Sequence, residues 1–138
     1  MKNVLTYGTF DLFHHGHARI LTRAGAFGGK LFVGVSTDEF NAVKGKKSWN
    51  DFSTRVEDVQ QYAPGAQVFA ENAFEQKPTD IMRFKIDVFV MGDDWAGKFD
   101  WLKDYCEVVY LQRTPGISTT LLKSMAIAGH APFSHHVG

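Results

Sequence analysis

Asn3-Val4-Leu5-Thr6-Tyr7-Gly8-Thr9-Phe10-Asp11-Leu12-Phe13-His14-His15-Gly16-His17 begins as an apolar run and passes through a polar turn into a histidine-rich stretch. Residues 3–7 predict a strand. Residues 15–27 then set Ile20, Leu21, Ala24 and Phe27 on one helical face, with Gly28-Gly29 as the stop. Leu31-Phe32-Val33-Gly34-Val35 predicts a second strand. Strand, helix and strand in that order form the repeating unit of a parallel sheet.

The alternation continues outward from this unit. A helix is predicted over residues 51–62, ended by Pro64-Gly65, and a short strand over 67–70. Another helix is predicted over 79–85, started by Pro78. Strands follow at 88–91 and 108–111, and a last helix from Ser118 through Leu121, Leu122, Met125 and Ala126. Several strands are apolar throughout, as expected where both faces of a parallel sheet are covered. The expected fold is α/β: a Rossmann-like, doubly wound, five-stranded parallel sheet in a single domain over residues 1–128. Residues 129–138, with His130, His135 and His136, read as a loose tail.

The chain has 138 residues and a formal net charge of +0, which fits one ordinary globular domain and argues against a nucleic-acid partner. Cys106, the single cysteine, lies beside an apolar run and reads as a packed thiol. The start of the chain has no signal-peptide pattern, and no apolar run approaches the roughly 20 residues of a membrane span. A cytoplasmic protein without a membrane partner is expected.

In doubly wound sheets, ligands sit beyond the carboxyl ends of the strands. The turn after the first strand brings His14 and His17, three apart, to a helix N-terminus that suits an anion. Gly16 leaves room for close approach. Helix capping or half of a metal site are the competing readings of that spacing. The turn after the fifth strand, Gln112-Arg113-Thr114-Pro115-Gly116-Ile117-Ser118-Thr119-Thr120, supplies a permanently charged fork in Arg113 and capping hydroxyls in Ser118 and Thr119. After the second strand, Ser36-Thr37-Asp38-Glu39-Phe40-Asn41 leads to Lys44-Gly45-Lys46-Lys47, either a solvated loop or a cationic lid. Gly92-Asp93-Asp94 follows the fourth strand, as a plain turn, a metal site or a site for ribose hydroxyls.

Residues 8–17 resemble the first signature of the nucleotidyltransferase superfamily, with its H-x-G-H motif. The T-Y-G-T-F-D stretch is closer to the glycerol-3-phosphate cytidylyltransferases. Residues 113–120 resemble that family's second signature, R-T-x-G-I-S-T-T. The resemblance implies transfer of CMP from CTP to glycerol 3-phosphate, giving CDP-glycerol and pyrophosphate, with Mg2+ accompanying CTP. It implies catalytic roles for His14, His17, Lys44 and Arg113. It places Thr9, Phe10, Asp11, Gly16, Lys46, Gly92, Asp94, Thr114, Gly116, Ile117, Ser118 and Thr119 at the nucleotide, and Arg55 with Lys44 at the acceptor. Lys47 is read as solvated. A homodimer and a place in teichoic-acid or capsule precursor synthesis are further implications.

The likeness thins between Val56 and Phe74. Ala63, Ala66 and Phe74 stand where the family carries an arginine, an aspartate and a tryptophan linked to acceptor handling and dimer contact. That leaves two alternatives beside glycerol 3-phosphate: a different phosphorylated polyol or amino alcohol as acceptor, or a CTP-binding module with impaired catalysis.

Overall fold

A computed structural model describes residues 1–112. Five strands form one all-parallel sheet in the order β3-β2-β1-β4-β5. They are β1 (Asn3–Gly8), β2 (Lys30–Ser36), β3 (Gln67–Glu71), β4 (Val88–Gly92) and β5 (Glu107–Leu111). The chain winds outward from β1 to β3 and then crosses back to β4, so the order reverses between β1 and β4. That reversal opens a crevice at the carboxyl ends of the two central strands. The expected doubly wound five-stranded sheet is therefore present.

The apolar runs explain why these segments form the sheet. Val4, Leu5, Val33, Val35, Val88, Phe89 and Val90 are fully or almost fully buried, from both faces of the sheet. One face packs Leu5, Tyr7, Phe32, Phe89 and Met91 against Ile81 and Leu102. The other packs Val33 and Val35 against Phe10, Phe13, Leu21 and Val59.

Four α-helices join the strands: α1 (His15–Gly25), α2 (Asp38–Val43), α3 (Phe52–Tyr62) and α4 (Lys77–Arg83). Helix α1 ends two residues before the predicted limit. Leu21 and Ala24 are buried as expected, but Phe27 lies past the helix and is 37 % exposed. Helix α4 starts at Lys77, with Pro78 in its first turn, where a missing N–H costs nothing. Between β4 and β5 the connection uses two short 3-10 turns, Asp93–Trp95 and Asp100–Asp104. Cys106 packs against the core, and burial pushes its thiol up to about 11, which keeps it protonated at neutral pH. The last predicted helix and the tail lie outside the described residues.

Helix α2 occupies a stretch the sequence reading left without an element. Thr37 caps it by accepting from the Phe40 amide at 3.0 Å, and Asp38 and Glu39 favour its positive end. Gly45 terminates it at φ +75°, a backbone state that costs other residues. This helix sets where the lysine segment leaves the sheet. Replacing Thr37 with Ala should lower unfolding free energy by about 1 kcal/mol in urea titration, and Thr37→Ser should lower it far less.

Candidate active site

A cavity of about 500 Å3 opens at the carboxyl edge of the sheet, over the β1–β4 reversal. Its wall on the α1 and β4 side includes Thr9, Phe10, Asp11, His17, Gly92, Asp94 and Trp95. Its wall on the β2 and β3 side includes Ser36, Lys44, Lys46, Lys47, Glu71, Phe74 and Lys77. The cavity thus brings together the first-turn, lysine and fourth-strand segments. Residues Arg113, Thr114, Gly116, Ile117, Ser118 and Thr119 lie outside the described residues.

The histidines are held by the helix they begin. His14 is the N-cap of α1, and its Nδ1 accepts from the Gly16 amide at 2.9 Å. The Nδ1 of His17 accepts from the His14 amide at 3.2 Å. This reciprocal arrangement is an imidazole counterpart of the capping box. With Nδ1 accepting, each neutral ring carries its proton on Nε2. The two rings stack with centroids 3.8 Å apart, and Phe10 and Phe13 flank His17 at 5.5 Å. His17 faces the cavity, while His14 is buried behind it. A Cβ on Gly16 would meet the His14 ring at 2.7 Å, so this glycine makes room for the imidazole itself.

The turn before α1 carries strain. Phe10 and Leu12 adopt φ of 55° and 47°, unusual for bulky residues. Asp11 anchors the turn to the lysine segment, because its carboxylate accepts from the amides of Trp49 (2.6 Å) and Asn50 (2.8 Å).

Arg55 sits elsewhere than the sequence reading expects. It is 0 % exposed and does not line the cavity. Its guanidinium donates to the carbonyls of Thr9 (2.9 Å), Ser36 (2.7 Å) and Asn50 (3.1 Å) and to Asp38 Oδ1 (2.8 Å). It therefore fastens the β1 turn, the end of β2, the start of α2 and the approach to α3 to one another. Its charge is consumed inside the protein rather than offered to a ligand. Lys47, read as a solvated residue, is exposed and also lines the cavity beside Lys46.

Two residues that the sequence reading did not select complete the β3 wall. Lys77 is buried and ion-paired with buried Glu71 at 2.8 Å. Its Nζ lies 4.7 Å from the ring centre of Tyr7, 5.2 Å from Phe74 and 5.4 Å from Phe99. Tyr7 donates to Asp80 at 2.7 Å, and burial with that bond raises its hydroxyl pKa well above the ordinary value. Lys44 donates to Ser36 Oγ at 3.0 Å, and desolvation lowers its pKa while Glu71 opposes that shift.

The departures from the family pattern separate in space. Phe74 lines the cavity, 46 % exposed and edge-on to Phe40 at 4.8 Å. Ala63 and Ala66 instead line a shallower cavity of about 290 Å3, with Leu21, Thr22 and Tyr62, near the amino ends of β2 and β3.

A family profile described as cytidylyltransferase-like matches residues 5–125. The chain belongs to that family. Among similar proteins, the glycerol-3-phosphate cytidylyltransferase of Bacillus subtilis (strain 168) is 54 % identical over 129 residues, 94 % of this chain and 99 % of that protein. The glycerol-3-phosphate cytidylyltransferase of Staphylococcus aureus is 51 % identical over 123 residues, 89 % and 93 % of the two chains. The fold is shared with a bifunctional NMN adenylyltransferase/ADP ribose pyrophosphatase from Francisella tularensis at a TM-score of 0.67 and 14 % identity, over 94 % of this chain and 42 % of that one. Membership of the cytidylyltransferase-like family accords with the cavity, whose histidine, lysine and fourth-strand segments meet at the sheet's reversal.

The burial of Arg55 gives a direct test. Arg55→Lys keeps the charge but cannot span four acceptors, so stability should fall by about 2–3 kcal/mol in urea. The KM for acceptor should rise no more than the KM for CTP. A selective rise in acceptor KM at unchanged stability would return Arg55 to the ligand.

Proposed function

We propose that this chain transfers CMP from CTP to glycerol 3-phosphate, releasing pyrophosphate and forming CDP-glycerol. The observation that carries the reading is the two-sided cavity. Stacked, backbone-anchored imidazoles stand on one side, and Lys44, Lys46, Lys47 and Lys77 stand on the other. Family membership and the glycerol-3-phosphate cytidylyltransferases at 51–54 % identity support the reaction class and the acceptor.

An oxygen of the acceptor phosphate attacks the α-phosphorus of CTP. A new P–O bond forms as the bond from that phosphorus to the α–β bridging oxygen breaks, and pyrophosphate carries away the electron pair. No group on the protein is covalently modified. His17, held by its Nδ1 contact with Nε2 protonated, donates to oxygens of the α-phosphate as charge builds. His14 stacks behind it and fixes its plane. Lys46 and Lys47 neutralise the outer phosphates, and Arg113 joins them in this proposal. Asp94, with the turn after β4, faces the nucleoside. Lys44 and Lys77, whose ammonium groups reach Ser36 and Glu71 at the carboxyl ends of β2 and β3, take the acceptor phosphate.

Mg2+ brought with the nucleotide would supply charge neutralisation on the triphosphate. Of the cavity carboxylates Asp11, Glu71 and Asp94, the first two accept from backbone amides, Ser36 and Lys77, and the lysines supply positive charge beside the triphosphate. Dimer formation, as the resemblance implies, is part of the proposal. Among the described residues no helix is long and apolar enough to cross a membrane.

Incubation with CTP, Mg2+ and a panel of glycerol 3-phosphate, other polyol phosphates and amino-alcohol phosphates tests the reading. Pyrophosphate release should be fastest with glycerol 3-phosphate. Release with another acceptor alone would replace it, and tight CTP binding without release on any acceptor would leave only a binding module. His17→Ala should lower turnover about 100–1,000-fold, with an unchanged circular dichroism spectrum.

A further inference from the structure

One carboxylate connects the two lysines of the acceptor wall. Glu71 closes β3, is buried, and lines the cavity. Its Oε2 accepts from Lys77 Nζ at 2.8 Å, and its Oε1 accepts from Ser36 Oγ at 3.0 Å. Ser36 Oγ in turn accepts from Lys44 Nζ at 3.0 Å. The serine proton is given to the carboxylate, so its lone pair points to the lysine. The chain therefore runs Lys44, Ser36, Glu71, Lys77 and joins β2, β3 and α4. Each ammonium gives one of its three N–H groups to this chain, and both lysines line the cavity.

We infer that Glu71 is a positioning residue that aims Lys44 and Lys77 together as a two-lysine clamp on the acceptor's phosphate. This rests on the reading of that wall as the acceptor site. Lys77 is buried and Lys44 half-buried; two ammonium groups so placed repel each other and lose solvation, which disfavours charge on both. One buried carboxylate between them offsets that cost and fixes their separation, while leaving the wall net positive for a phosphate dianion. A structural salt bridge alone has no need of the serine link, which extends the carboxylate's reach to a lysine on another element.

The groups facing Lys44 are Glu71 from β3, Lys77 from α4, Arg55 from α3 and neighbouring Lys46. Among these only Glu71 favours the charged form. Removing its charge therefore lowers the pH at which Lys44 loses its proton, and acceptor binding fails earlier as pH rises.

The test compares wild type, Glu71→Gln and Ser36→Ala in steady-state kinetics from about pH 7 to pH 10. Inorganic phosphate binding is followed by calorimetry in parallel. Glu71→Gln should raise acceptor KM about tenfold, the effect of losing an aimed charged hydrogen bond, with CTP KM within about twofold. Its alkaline limb should shift to lower pH. Ser36→Ala, which keeps the Glu71–Lys77 pair and is the safer variant for folding, should raise acceptor KM about threefold with its alkaline limb in place. Phosphate affinity should weaken in the same order.

Unchanged acceptor KM and phosphate affinity in Ser36→Ala, or an equal rise in both KM values in a folded Glu71→Gln, would overturn the inference. If wild type makes no CDP-glycerol yet phosphate binding weakens as described, the glycerol reading falls and the clamp stands.

Discussion

The buried guanidinium of Arg55 is the constraint on which the rest of the site depends. A permanently charged group with no exposed surface is costly to bury and is tolerated only when its donors are met. Here three backbone carbonyls and Asp38 meet them. The carbonyls belong to Thr9 and Ser36, where the chain leaves β1 and β2, and to Asn50, where the lysine segment approaches α3. These connections have few internal bonds of their own. Their common fastening lets segments distant in sequence present functional groups at fixed positions. Asp11 strengthens it from the other side by holding the amides of Trp49 and Asn50.

The histidine wall shows the same economy of parts. The bonds that satisfy orphan amides at the start of α1 also determine which imidazole nitrogen carries the proton. Helix initiation and presentation of hydrogen-bond donors are one arrangement. The positive φ values of Phe10 and Leu12 accompany it, because the chain must turn sharply between β1 and α1 while both side chains remain buried. Strain of this kind persists where surrounding contacts over-determine the backbone.

The strands were legible in the sequence to within a residue or two at most ends, because a sheet covered on both faces demands continuous apolar runs. Helix α2 was not, since six residues are too few to show a period, and Ser36-Thr37-Asp38 reads equally as a turn. Thr37 before two acidic residues was the available cue. The histidine and lysine segments were legible as motifs after strands. The role of Arg55 was not, because sequence shows that a helix carries an arginine but not which way it faces. Glu71 and Lys77 were missed for a related reason. They are six apart, on a strand end and a helix start, and meet only because the intervening turn folds back. Ala63, Ala66 and Phe74 looked like one departure from the family pattern, and only the fold separates the last from the first two.

The position of the Lys77 ammonium has a consequence for selectivity by occupancy. Tyr7, Phe74 and Phe99 surround it with ring faces and edges of the kind that elsewhere receive a ligand's cationic headgroup. In this protein the aromatic box is already filled from within by a tethered cation. A ligand that presented an ammonium there would meet a like charge in the seat, whereas one that presents its phosphate meets an opposite charge.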